Sequence, residues 1–248
     1  MIQISVVILT LNEQKNIQDC IASTRWADRV VVMDTFSSDD TVSLARAAGA
    51  EVLQHSFEDY AQIRNVALEQ VQSPWIFFVD ADERATPELA AEIRQVTAGW
   101  PDCPSGWWVP RHNYLFGKLT LGAGWFPDYQ MRLLRRGKAR YERPVHEVVV
   151  LEGSAGHLQN PLIHYNYETV AQFHAKQARY SDYDAEILYH KGVRPRPHTP
   201  ITQLLRHLYW RFITLKGYRD GLHGLRLCLL TAWYEGVKYH KLGQLWAS

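Results

Sequence analysis

Apolar, strand-like runs at residues 4–9, 30–33, 51–54 and 75–79 alternate with stretches at 17–24, 39–48 and 60–71 whose apolar side chains recur at helical spacing. That alternation leaves little choice of architecture: parallel strands joined by right-handed crossovers. Each helical stretch begins near an Asn, Asp or Ser able to cap it. A further helix is predicted from Thr86-Pro87, a cap and first-turn pair, to about Ala98, before Trp100-Pro101 ends it.

After Gly106, short strand-like runs at 107–116, 129–134, 145–151 and 161–165 are separated by Gly and Pro and predict antiparallel strands added to the same sheet. Residues 168–189 read as a helix, the Pro-rich 193–200 as a linker, and 201–215 and 222–242 as two more helices. On the first of these, Ile201, Leu204, Leu205, Leu208, Phe212 and Leu215 form one apolar face, with Arg206, His207 and Arg211 off it. The expected fold is α/β: a Rossmann-like mixed sheet, parallel in its N-terminal half with antiparallel additions, followed by a C-terminal helical appendage.

With 46% apolar residues over 248 positions, the chain supports a sizeable core and is not disordered. Cys20, Cys103 and Cys228 offer neither a disulfide framework nor metal-ligand spacing, which fits a reducing cytoplasm. No basic n-region precedes the first strand, and no uncharged run approaches the roughly 18 to 20 apolar residues that span a bilayer, so neither export nor membrane crossing is expected. The net charge of +1 conceals a split, with +8 on residues 191–248 and −7 on the first 190. A basic tail on an acidic, metal-tolerant body implies an anionic partner: nucleic acid, lipid headgroups or a phosphorylated glycan.

The run Phe77-Phe78-Val79 ends in Asp80-Ala81-Asp82-Glu83. Ligands of α/β sheets bind at the carboxyl ends of the strands, so these two Asp carboxylates stand where a substrate sits. Hard oxygen ligands there suit Mg²⁺ or Mn²⁺ bound together with a diphosphate, the protein supplying only one or two carboxylates. Strand one ends in Leu9-Thr10-Leu11-Asn12-Glu13 and strand two in Asp34-Thr35-Phe36-Ser37-Ser38-Asp39-Asp40-Thr41, so polar groups gather at three successive strand ends. Taken singly, Asn12, Glu13, Ser38 and Asp39 serve equally as helix caps, and Arg64-Asn65 as a solvated helix face.

In these motifs the chain resembles glycosyltransferase family 2, inverting enzymes of the GT-A fold that use nucleotide-diphosphate sugars, most strongly over residues 4–88. The resemblance implies one transferase domain at 1–190, with a nucleotide-sugar half at 1–100 and an acceptor half at 101–190, and a basic amphipathic appendage at 191–248. It also implies that Thr10, Asn12 and Glu13 border the nucleoside, that Asp34 accepts from the uracil ring, and that Arg64 and Asn65 sit by the base or diphosphate. Asp80 would touch ribose or metal, Ala81 would line the donor site, and Asp82 would be the metal ligand. Many members follow strand two with Asp-Asp-Gly-Ser or Asp-Asn-Gly-Ser, whereas this chain has Asp34-Thr35-Phe36-Ser37.

Gly124-Trp125-Phe126-Pro127-Asp128-Tyr129-Gln130-Met131-Arg132-Leu133-Leu134-Arg135-Arg136, together with Val145-His146-Glu147, His164-Tyr165-Asn166-Tyr167 and Gly217-Tyr218-Arg219-Asp220-Gly221-Leu222-His223-Gly224, is similar to the bacterial lipopolysaccharide inner-core glucosyltransferase group. Members of that group move glucose from UDP-glucose to a core heptose. Processive members of the family carry Gln-x-x-Arg-Trp, which Gln130-Met131-Arg132-Leu133 does not match, so addition of a single hexose to a cell-envelope glycan or glycolipid is expected.

An inverting transfer needs a base for the acceptor hydroxyl, in-line attack on the anomeric carbon and stabilisation of the leaving diphosphate. Glu147, beside His146 and in the place where relatives carry their catalytic acid, is the first candidate base; Asp128, in an aromatic, Pro-bounded loop, is the second. His164 ends a predicted strand and would complete a metal shell or contact the diphosphate. On an alternating strand Arg132 and Arg136 share a face while Arg135 points away, so the first two are the candidate phosphate contacts. Trp107, Trp108, Trp125 and Phe126 are candidates to stack on sugar rings.

For the tail, Trp210, Phe212, Trp233 and Trp246 at a lipid interface, with Arg206, Arg211, Lys216, Lys238 and Lys241 on anionic headgroups, give peripheral docking at the inner face of the cell membrane. Packing on its own domain, or on a second subunit as a homodimer, is the other reading. Two further classes stay open. A sugar-nucleotide nucleotidyltransferase would place a Gly-rich phosphate loop after strand one, and residues 10–14 contain no glycine. A non-catalytic nucleotide-sugar or glycolipid binding protein would keep the donor pocket, and intact Asp80, Asp82 and Glu147 weigh against it. Nucleic acid is not expected, because the body is acidic and no recognised module is present.

Overall fold

A computed structural model describes residues 3–142 and 148–247. The chain forms two compact units, one of Met1–Arg111 with Tyr129–His164 and the other of His112–Asp128 with Tyr165–Ser248. The helix that ends at residue 190 lies in the same unit as the helices after it.

The first unit begins with β1 (Ile4–Thr10), α1 (Ile17–Thr24), β2 (Arg29–Asp34), α2 (Thr41–Ala47), β3 (Glu51–Gln54), α3 (Tyr60–Gln70) and β4 (Trp75–Asp80), and its four strands are parallel. There follow β5 (Glu83–Ala85), α4 (Pro87–Thr97), β6 (Gly106–Leu115), β7 (Lys118–Thr120), β8 (Asp128–Arg135), β9 (Ala139–Glu142), β10 (Val148–Leu151), β11 (Ala155–His157) and β12 (Leu162–Tyr167). The sheet runs β3-β2-β1-β4-β8-β6-β12-β5, with β8 antiparallel to β4 and β11 parallel to β6. This is the mixed sheet expected from the sequence.

Strands β1 and β4 are continuous apolar runs because both of their faces are covered. On one face Ile4, Val6, Ile8, Phe77 and Val79 join Ile17 and Ile21 of α1 and Leu89 and Ile93 of α4. On the other, Val7, Ile76 and Phe78 join Ile63, Ala67 and Leu68 of α3. Truncating one of these, as in Phe77→Ala, costs about 3–5 kcal/mol through lost transfer energy and a cavity.

Local signals set the helix starts. Thr86 accepts from the Leu89 N–H behind Pro87, and Asp59 accepts from Gln62 N–H. The expected caps of α1 and α2 work differently: the Asn16 side chain donates to Glu13, and Asp39 takes the Thr41 N–H. The strand expected at 145–151 is described from Val148 and pairs with β9 in a separate two-stranded ribbon, not with the main sheet. The ribbon is held on α3, where Tyr141 packs among Ile63, Phe78 and Leu134.

In the second unit α5 (Val170–His190) opens with a capping box between Thr169 and Gln172. Helix α6 (Thr199–Tyr209) passes into a π-helical turn at Trp210–Thr214, then Lys216 at φ 55° and a 3₁₀ turn at Gly217–Asp220 reverse the chain into α7 (Gly221–Ala247). A Cβ on Gly236 would lie 3.2 Å from the Pro200 carbonyl oxygen and one on Gly217 2.6 Å from Cys228 Sγ, so α6 and α7 run antiparallel in close contact. A Cβ on Gly224 would lie 1.9 Å from the Gly217 carbonyl oxygen, which only glycine permits. The Asp220 carboxylate accepts the N–H groups of Leu121 and Gly122, and Arg211 donates to the Ala123 carbonyl, fastening the loop before β8 to this bend.

The single apolar face expected on 201–215 is divided. Leu204 packs at Gly236, whereas Ile201 and Leu205 are 65% and 58% exposed, because one neighbouring helix covers only one side. Of the residues expected at a lipid interface, Trp246 donates to the Val193 carbonyl and lies under Arg194, pinning the linker. Lys241 pairs with Asp182, Lys238 with Glu235, and Arg211 is largely buried, so these three cations serve the fold.

Candidate active site

The β1–β2 and β1–β4 registers set Thr10 beside Asp34 and Leu9 beside Asp80, so three strand ends form one edge. The Thr10 hydroxyl is buried there and has no hydrogen-bond partner among the described residues. Asp34 is fully buried and accepts from the Ser37 N–H at 3.0 Å, the Ser37 hydroxyl and Gln54 Nε2 at 2.9 Å. These bonds make Asp34 the anchor of the loop after β2. Asn12 stitches that loop to the end of β1, accepting from Ser38 N–H while its own N–H donates to Ser37 Oγ. Phe36 stands at φ 61°, the left-handed conformation that suits the glycine of related sequences, with its ring 60% exposed.

A chain of ion pairs supports the edge. Both guanidinium nitrogens Nη1 and Nη2 of Arg132 reach the Asp80 carboxylate, Arg64 Nη2 reaches Asp80 Oδ1 at 3.1 Å, and Arg132 also donates to Glu83 Oε1 at 3.1 Å. Arg111 pairs with the same Glu83 oxygen at 3.2 Å, and Glu83 Oε2 accepts the Asp80 N–H. Arg64 lies over the rings of Phe78 and Tyr141. Burial would push the Asp80 carboxyl upward, but the guanidiniums of Arg132 and Arg64 hold it well below the carboxylate range. Arg132, Arg64 and Arg111 thus bracket Asp80 and Glu83 under the strand ends.

In this network Arg132 is an internal clamp on Asp80 and Glu83. The structure does not bring Arg136 to it: β8 ends at Arg135, and the Arg136 N–H donates to the Pro74 carbonyl ahead of β4, at the end of the sheet opposite Asp80. Arg135 lies over Trp100 at 3.9 Å. Asn65 exchanges two hydrogen bonds with the Tyr141 backbone, so its side chain anchors β9 and is not a free donor contact.

Asp82 stays partly exposed, with His164 Nε2 at 3.4 Å from its Oδ2, because β12 pairs with β5 and sets His164 opposite Glu83. Glu13 completes this side. Burial raises its carboxyl, the hydrogen bond from Asn16 lowers it, and the charges of Asp82 and Asp39 raise it further. Ala81 is buried, and its carbonyl accepts from Arg84. Among the described residues no three His, Cys, Asp or Glu side chains are grouped to hold a metal ion alone. Asp82 and His164 suit a cation that takes few protein ligands and fills its shell with phosphate oxygens and water, as Mg²⁺ and Mn²⁺ do.

In the second unit Asp128 accepts from Asn113 Nδ2 at 3.1 Å, and the same amide donates to the Trp125 carbonyl. Trp125, partly buried, packs beside Leu115, Phe173 and Leu227. The Phe126 ring lies 5.1 Å from that of His112. His146 and Glu147 lie outside the described residues. Glu83 and Arg111 received no role from the sequence; an Arg between Pro110 and His112 in a strand was the available signal.

Residues 5–138 match the model of the glycosyl transferase family 2. The chain is 32% identical, over 92% of its length and 90% of the relative's, to the lipopolysaccharide core biosynthesis glycosyltransferase LpsC of Rhizobium meliloti. It is 25% identical to an uncharacterized glycosyltransferase of Rickettsia bellii, over 98% of this chain and 87% of that one. Among solved structures, glucosyl-3-phosphoglycerate synthase from Mycobacterium tuberculosis in complex with phosphoglyceric acid superimposes with a TM-score of 0.50 and 18% identity, covering 78% of this chain and 81% of that one.

Proposed function

We infer the reaction from the premise that this chain belongs to glycosyl transferase family 2: it moves one hexose, glucose from UDP-glucose, to a sugar of the lipopolysaccharide core, a heptose, with inversion at the anomeric carbon. The observation that carries this reading is the division of labour between the two strand-end carboxylates. Asp80 is clamped and kept ionised by Arg132 and Arg64, which suits a fixed acceptor for ribose hydroxyls. Asp82 and His164 remain to hold Mg²⁺ or Mn²⁺. When bound, that ion neutralises charge on the departing diphosphate. Thr10 offers its unpaired hydroxyl to the nucleoside. The relative LpsC, named for lipopolysaccharide core biosynthesis, supports the acceptor class. One carboxylate must take the acceptor proton, and Glu147 is the first choice, with Asp128 second.

Calorimetric titration with UDP-glucose, UDP-galactose and GDP-mannose, each with Mn²⁺, Mg²⁺ or EDTA, tests the donor. UDP-glucose binding that needs the metal and is lost in Asp82→Ala is expected; binding of GDP-mannose alone changes the donor, and binding of none favours a non-catalytic role. Glu147→Gln is expected to bind donor normally and lose at least about a hundredfold in turnover. Full turnover in that variant moves the base to Asp128.

A further inference from the structure

The exposed rows of α6 and α7 are apolar and aromatic. On α6 they are Ile201, Leu205 and Tyr209, spaced four residues apart, with Ile213 in the π-helical turn that follows; on α7 they are Leu222, Leu229 and Trp233, spaced seven and four. In two antiparallel helices the phases of these positions, taken from the buried contacts at Leu204, Gly236 and Cys228, bring Ile201 and Leu205 to the same side as the α7 row. Scattered apolar side chains would be unremarked on any surface, but Ile201, Leu205, Leu222, Leu229 and Trp233 share one side, and such a set marks an interaction face.

The exposed charges of the two helices and their linker have one sign, while the acids Asp182 and Glu186 are carried by the neighbouring α5. From residue 191 onward, every exposed charged side chain among the described residues is a cation: Lys191, Arg194, Arg196, Arg206, Lys216, Arg219 and Arg226. The two acids of this stretch are turned to internal use, Asp220 on the Leu121 and Gly122 amides and Glu235 on Lys238. A second copy of the same face would therefore bring cations against cations. Lys216 and Arg219 also line a cavity of about 380 Å³ with Leu121, Phe126, Pro127 and Leu215, where a headgroup phosphate finds two positive charges. Among the described residues no helix is long and apolar enough to cross a membrane, so contact through this face is interfacial.

We propose that α6 and α7 dock on an anionic lipid bilayer, the apolar rows entering the acyl boundary and the cations resting on phosphate headgroups. The proposal stands apart from the transfer reaction, and donor binding is read separately in the same samples. The full chain is sedimented with vesicles of phosphatidylglycerol and phosphatidylcholine mixed equally, and with pure phosphatidylcholine. Partition at least tenfold stronger on the anionic vesicles, weakening as salt rises, is expected. Each cation near the surface is worth about fivefold in partition, so Arg206→Glu with Arg219→Glu is expected to lower it by at least about tenfold. Leu205→Glu with Trp233→Glu is expected to abolish it; circular dichroism and unchanged UDP-glucose binding establish that both variants remain folded. Equal partition on the two vesicle types, no partition, or partition unchanged by either pair overturns the proposal. A lipid-free dimer seen by light scattering and dissolved by Leu205→Glu overturns it in favour of a second copy.

Discussion

At the sheet edge Arg64, Arg111 and Arg132 are enclosed and each meets a carboxylate, whereas Arg206, Lys216 and Arg219 stand in solvent with no ion pair among the described residues. The two regions hold comparable charge and use it for different ends. Enclosed cations fix the position and ionisation of Asp80 and Glu83, at a desolvation cost that only complete pairing offsets. Exposed cations add nothing measurable to folding and keep their full hydration to exchange with a partner.

The widest separation between the regions is expected in stability. Arg132→Ala leaves Asp80 and Glu83 short of a buried partner and is expected to lower unfolding free energy by about 3–5 kcal/mol in urea titrations at pH 7. Arg219→Ala is expected to stay within about 0.5 kcal/mol. Equal losses would erase the contrast.

Within the edge itself, Asp80 and Asp82 are expected to part company. Asp82→Ala, at a partly exposed position, is expected to leave stability within about 0.5 kcal/mol while weakening metal-dependent donor binding tenfold or more, about 1.4 kcal/mol. A large drop in melting temperature would assign Asp82 to the scaffold instead.

Phe36 sharpens the contrast between stability and function at one position. Phe36→Gly relieves a left-handed backbone and is expected to raise stability by about 1 kcal/mol in the same urea titrations. If the exposed ring stacks on the donor base, calorimetry is expected to show UDP binding weakened several-fold. Stability and affinity rising together would remove Phe36 from the site.

Acid is expected to separate the regions with the smallest signal. Burial, with help from Arg211, lowers His207 to about 4, below its ordinary 6.5, and its Nε2 accepts from Arg211. The unfolded chain therefore takes the proton first, so this contribution is complete above pH 6.5 and fades as pH falls toward 4. Asp80 is depressed below 3.8, so its contribution is complete above that value and fades only as pH falls further. Stability curves of His207→Gln and Asp80→Asn are expected to flatten in those separate windows, His207 in the upper and Asp80 in the lower. Flattening in one shared window would refute the assignment.

Much of the first hundred residues was legible because their periods contrast: β1 and β4 are apolar throughout, and α1 and α4 begin and end within about a residue of the predicted bounds. The Asp80 and Asp82 pair was visible for the same reason, an apolar run stopping at acids. Their different fates were not, because Arg132, which clamps Asp80, and His164, beside Asp82, arrive on β8 and β12, strands whose neighbours are fixed by non-local pairing. Arg136 shares alternation with Arg132 but lies four residues further along, just past the end of β8 and at the far end of the sheet, because β8 runs antiparallel to β4. Strands of three residues, such as β5 and β11, are too short to show a period at all.

The bend between α6 and α7 gives this helical unit a recognisable mark. Gly217 and Gly224, seven apart with Asp220 between them, are tied by a clearance that excludes any side chain at the second position. A distant chain whose nucleotide half has diverged beyond detection can be screened for that trio alone. Where either glycine has been replaced, the hairpin of helices must open, and the face it presents must be rebuilt by other means.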